Sequence, residues 1–138
     1  MKHTLLFTAF TFLFFQFALG QNISLDTAFG VGGKVQDANS YLISSMVQQN
    51  DGKTVCYSFD INSTNVVIER YNTNGSLDTT YGTNGKVSTS LAMYTYTYQS
   101  IAIQTDGKII AVGYLPSTTS TTDYENFGVL RLNTNGAI

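Results

Sequence analysis

Residues 24–35 read SLDTAFGVGGKV and residues 76–87 read SLDTTYGTNGKV, so the chain carries a copy of part of itself. Two further blocks follow in the same order. Gln49-Asn50-Asp51-Gly52-Lys53 matches Gln104-Thr105-Asp106-Gly107-Lys108, and RYNTNG at 70–75 matches RLNTNG at 131–136. The offsets are 52, 55 and 61, so the second copy holds two insertions, one of them the Ser/Thr-rich stretch Pro116 to Asp123. A unit of this size cannot bury an apolar face alone and stacks on its neighbour. The division is residues 21–75 and 76–136, with 137–138 opening a third unit.

Each unit divides into four short β-rich runs. In the first they lie near Gly33–Asp37, Ser44–Gln48, Lys53–Phe59 and Asn65–Tyr71. In the second they lie near Gly85–Ser90, Tyr98–Gln104, Lys108–Tyr114 and Asn126–Asn133. Asp51-Gly52 and Asp106-Gly107 are the sequence signature of a two-residue type I′ hairpin loop, with φ > 0 at both residues. Ile101-Ala102-Ile103 and Ile109-Ile110-Ala111-Val112 are almost continuously apolar, the pattern of a sheet covered on both faces. No long 3.6-residue period appears beyond residue 20. The reading is all-β, with two four-stranded antiparallel blades of a β-propeller in an incomplete ring.

The ordered blocks SLDxxFGxxGKV, QxDGKxxxxG and RxNxNG resemble the delta-60 repeat β-propeller family of secreted, mostly bacterial proteins, a domain of unknown function. The match covers Ser76–Val87, Gln104–Gly113 and Arg131–Gly136 in the second unit. In the first, Thr54-Val55-Cys56-Tyr57-Ser58 departs from the usual Ile-Ile-Ala-Val-Gly type of run. The resemblance implies a propeller blade and no particular activity.

Residues 1–20 have the three parts of a secretory signal peptide: Lys2, an apolar run from Leu5 to Ala18, and small residues before a cut between Gly20 and Gln21. The run is short for a bilayer of ~30 Å, so the expected product is secreted, extracellular or at the cell surface, with no integral membrane segment after cleavage. The only histidine, His3, lies in that signal, and the only cysteine is Cys56. The remainder therefore lacks an imidazole base, a Ser–His or Cys–His pair, a Cys/His zinc site and an internal disulfide. A net charge of −2 gives no basic field for nucleic acid. No catalytic residue, cofactor or metal site is assigned.

The repeated polar residues read as architecture. Asp26 and Asp78 start Asx turns, and Asn74-Gly75 marks another turn. The two arginines, Arg70 and Arg131, tuck along a blade edge and pair locally with Glu69, Asp78 or a turn carbonyl. Lys34, Lys53, Lys86 and Lys108 follow turn glycines, where a lysine is well solvated and discourages edge pairing. Cys56 aligns with Ala111 and reads as a buried, inert thiol. Asn22, Asn62 and Asn74 open N-glycosylation triplets, which the resemblance to bacterial proteins leaves idle. Tyr94, Tyr96 and Tyr98 put three rings on one face of a strand and form the candidate surface for a protein or carbohydrate ligand.

Three functions follow. The first is a non-catalytic scaffold or adhesive surface. The second is part of a carbohydrate-active propeller enzyme, a hydrolase or lyase, for which two carboxylates suffice. The third is a two-blade module that closes a ring by assembling with copies of itself; in the first reading the partners are further blades of the same chain. The repeat grammar also implies that the reading frame continues past Ile138, or that the gene is a remnant.

Overall fold

The computed structural model describes residues 23–37, 41–60, 65–92, 99–115 and 126–138. Seven strands occur there: β1 (Tyr41–Gln48), β2 (Thr54–Asp60), β3 (Asn65–Tyr71), β4 (Lys86–Ala92), β5 (Ser100–Ile103), β6 (Ile109–Leu115) and β7 (Asn126–Leu132). They form a four-stranded sheet, β1-β2-β3-β4, and a three-stranded sheet, β5-β6-β7, with every pairing antiparallel. The described residues are all-β, with two propeller-type sheets.

The sheets and the sequence units are out of phase by one strand. Lys86–Ala92 opens the second unit yet hydrogen-bonds to β3 of the first, with Ile68 opposite Val87 and Glu69 opposite Lys86. Its counterpart in the first unit, 33–37, is not a strand. It shows only an isolated bridge between Gly30 and Lys34. The reason is pairing: β4 has β3 beside it, and 33–37 has no equivalent of β3 among the described residues.

Four turns share one construction. The N–H of Gly52, Gly75, Gly107 and Gly136 donates to the carbonyl three residues earlier, and each glycine has φ between 80° and 89°. In each, the side-chain oxygen of the preceding Asp or Asn accepts the N–H two residues on: Asp51 from Lys53, Asn74 from Ser76, Asp106 from Lys108 and Asn135 from Ala137, at 3.0–3.1 Å. Asp51 and Asp106 do not have positive φ, so the type I′ loop is corrected to a type I turn closed by a left-handed glycine. The Asx acceptor explains the change, because it holds the carboxylate residue right-handed and leaves one residue to absorb positive φ.

The core lies between the sheets. Val55 and Tyr57 of β2, Val66 and Ile68 of β3, Val87 and the loop residue Tyr81 meet Ile101, Ile109, Ala111, Leu130 and Leu132 of the second sheet. Strand alternation places these residues together and turns Cys56, Glu69 and Tyr71 to the other face of the first sheet. The first strands of the two sheets, β1 and β5, run beside one another.

Candidate functional site

The most connected polar group is the joint around Asp78. After Gly75 the chain turns back along β3, and the Asp78 N–H donates to the Arg70 carbonyl at 2.8 Å. One carboxylate oxygen then accepts the N–H and hydroxyl of Thr80, at 3.2 and 2.6 Å. The other receives Lys53 Nζ at 2.8 Å and Arg70 Nε at 2.7 Å. The Arg70 guanidinium also donates to the Thr134 carbonyl of the second sheet's last turn, at 2.8 Å, and lies 4.5 Å from the Tyr81 ring centroid. These donors hold the Asp78 carboxyl well below the ordinary carboxylate range, Lys53 contributing most. Arg70 thus ties the sheets together. Lys53 is drawn into the joint and is not the solvated lysine that its place after Gly52 suggested.

Asp26 has half of this arrangement. Its Oδ1 accepts the Ala28 N–H at 3.0 Å, as Asp78 does from Thr80. No cation meets its carboxylate among the described residues. Arg131, the counterpart of Arg70, is exposed and has no ion-pair partner there, and Lys108 folds back onto Asp106 at 2.5 Å.

A second group is not repeated. On the face of the first sheet away from the core, Lys86 Nζ bridges Glu69 and Asp37, at 2.5 Å from each, and stands 4.6 Å from the Tyr41 ring centroid. The Tyr71 hydroxyl donates to Glu69 Oε2 at 3.3 Å. Glu69 is 1% exposed, and burial raises its pKa despite Lys86. The neighbouring cavity of about 390 Å³ is walled by Phe29, Val35, Ile43, Met46 and Cys56 besides Asp37, Tyr41, Glu69 and Tyr71. Burial, and then the charge of Glu69, push the Cys56 thiol up to about 11. Lys86, like Lys53, is half-buried and paired.

Reasoning from sequence missed the Glu69–Lys86–Asp37 group. A signal was present: at the offset of 61, Glu69 occupies the slot of Leu130, a core residue in the second sheet. A carboxylate in a slot that is apolar in the other copy stands out against the repeat. Tyr94, Tyr96 and Tyr98, the proposed cut between Gly20 and Gln21, and the triplets at Asn22 and Asn62 lie outside the described residues. Asn74 is engaged by Ser76 in its turn.

Among the described residues, no cluster of three or more His, Cys, Asp or Glu side chains could hold a metal ion. No helix there is long and apolar enough to cross a membrane. No curated protein and no solved structure matches the chain. Residues 49–81 and 104–138 match the model of a family described as "Domain of unknown function (DUF5122) beta-propeller". Each matched stretch starts at an Asp-Gly turn and runs through two paired strands and the turn after them, so these two stretches are similar to a β-propeller repeat of a family of unknown function.

Proposed function

We infer that the chain is an exported β-propeller scaffold that presents a non-catalytic binding or adhesive surface to a protein or carbohydrate. One observation carries this reading: around Asp78 the charged residues written into the repeat serve as a joint. Asp78 spends both carboxylate oxygens on Thr80, Lys53 and Arg70, and Arg70 crosses to the next turn. A side chain so occupied positions strands and is poorly placed to take up or release a proton.

A carbohydrate-active enzyme is the rival, and one feature speaks for it. Glu69 and Asp37 share a single ammonium beside a cavity, and burial raises the pKa of Glu69 as a general acid requires. One experiment separates the two. The purified chain and Glu69→Gln are assayed for retention on immobilised polysaccharides and for turnover of chromogenic glycosides. Retention by both without turnover supports the scaffold. Turnover by the parent that Glu69→Gln abolishes would overturn it.

A further inference from the structure

The two sheets are stacked copies, and each has two unlike faces. In the first sheet Val55, Tyr57, Val66, Ile68 and Arg70 face the second sheet, whereas Cys56, Glu69 and Tyr71 face away. The offsets of 55 and 61 turn the first set into Ile110, Val112, Phe127, Val129 and Arg131. Alternation turns these residues to the side of the second sheet away from the core. Exposure agrees: Val66 and Ile68 are 0% exposed, and their counterparts Phe127 and Val129 are 77% and 55% exposed. The chain itself shows what covers such a face, because the first copy of it is covered.

The edge of the second sheet tells the same story. On its outer side β3 carries β4 and the loop before it: Arg70 receives the Asp78 N–H, donates its own N–H to the Gly85 carbonyl, and holds the Asp78 carboxylate. Strand β7 has β6 on one side and no strand on the other among the described residues. A segment of the right sequence exists at the opposite end of the molecule. Residues 24–37 correspond to the loop and to the first half of β4, and they share the turn contact of the 76–89 segment but not its strand pairing. The Gly30 N–H donates to the Asn74 carbonyl at 2.8 Å, as the Gly82 N–H does to the Asn135 carbonyl at 2.9 Å. Phe29 and Val35 lie over the first sheet, as Tyr81 and Val87 lie over the second. The strand-pairing half is missing, and Leu25, Val31 and Val35 remain exposed.

We propose that residues 24–37 of a second copy of this chain complete the second sheet: 33–37 pairs with β7, and Asp26 enters between Lys108 and Arg131. The β3–β4 pair sets the register, which puts Lys34 opposite Leu130 and Val35 opposite Val129. Charges match, since Asp26 lacks a cation and Arg131 lacks an acid among the described residues. Each copy then buries Phe127 and Val129 against the Ile43 and Met46 face of the next. Such a contact joins unlike surfaces, so it propagates until a ring closes. Propellers close at roughly four to eight blades, which corresponds to about two to four copies. The association does not depend on which ligand the assembled surface binds.

The test is the oligomeric state of the purified chain by sedimentation velocity over a wide concentration range, with circular dichroism checking that each variant is folded. The parent associates. Asp26→Arg and Arg131→Asp, both at exposed positions, each weaken association about tenfold or more, and the two together recover most of it. With Cys56→Ser, Val35→Cys combined with Val129→Cys yields a disulfide-linked ladder on mild oxidation, and Val31→Cys with Val129→Cys does not. A folded parent that stays monomeric overturns the proposal, as it would if a further unit of the same chain were the occupant. Association that neither charge reversal alters, with no ladder, overturns it in favour of a different face.

Discussion

Arg70 Nε lies 2.7 Å from Asp78 Oδ2, eight residues on, while the same guanidinium reaches the Thr134 carbonyl at 2.8 Å. A contact that is local in sequence is therefore part of the joint between two sheets. Equivalent residues in the two units differ in whether this joint is formed, so each unit serves as a control for the other.

Asp78→Asn leaves Arg70 and Lys53 without their shared counter-charge in a site where Asp78 is 3% and Arg70 8% exposed. A stability loss of about 3 kcal/mol is expected from breaking such a pair, against about 0.5 kcal/mol for Asp26→Asn at the exposed equivalent. Urea unfolding of dilute protein measures both. Equal losses would show that the joint adds nothing beyond the turn.

Acid dependence has two opposed parts. The Asp78 pKa is depressed in the folded state, so its contribution is full above the unfolded value of about 4 and drains away as pH falls further. The Glu69 pKa is raised, so the folded state holds its proton more tightly and acidification from neutrality stabilises. Stability should rise as pH falls toward the ordinary glutamate range and drop below about 4. Glu69→Gln should remove the climb and Asp78→Asn should flatten the fall, both read from unfolding midpoints at a series of pH values. A climb that survives in Glu69→Gln assigns it to another group.

Ile68→Ala opens a void in the core between the sheets, at a residue that is 0% exposed, and should cost about 2–5 kcal/mol. Val129→Ala changes the matching position of the second sheet, which is 55% exposed, and should cost about 0.5 kcal/mol or less in dilute monomer. Thermal or urea unfolding decides. Comparable costs would mean that Val129 is buried in solution.

Cys56 should resist alkylation. With its pKa near 11 and its side chain buried, iodoacetamide at pH 8 should react about a hundredfold more slowly with folded than with urea-unfolded protein. Mass spectrometry of timed aliquots reports the ratio. A native rate near the unfolded one would show that the Cys56 face opens readily.

Much of the fold was legible because the repeat states it twice. The two Asp-Gly turns and the runs beside them fixed β2, β3, β6 and β7 to within a few residues. What escaped was non-local. Whether Gly33–Asp37 becomes a strand depends on a neighbour, which Lys86–Ala92 has in β3 and its earlier copy lacks among the described residues. Lys53 and Lys86 follow glycine like Lys108, yet their ammonium groups end on Asp78, Asp37 and Glu69, residues separated from them in sequence by up to 49 positions. The turn type failed for a local reason: two side-chain oxygens, Asp51 Oδ1 and Asp106 Oδ1, already claim the N–H groups that a type I′ loop would orient differently.

The one-strand stagger between sheet and repeat bears on how such a chain can be divided. A cut between Gly75 and Ser76 follows the sequence boundary but separates β3 from β4, and it removes Asp78 from Arg70. The inherited unit is therefore not the unit that folds. Pulling the second repeat loose strips β4 from the first sheet, and pulling the first loose leaves β4 without β3 and uncovers the core face of the second sheet, so the two should denature in one concerted step, and a single excised repeat should behave as an unfolded chain.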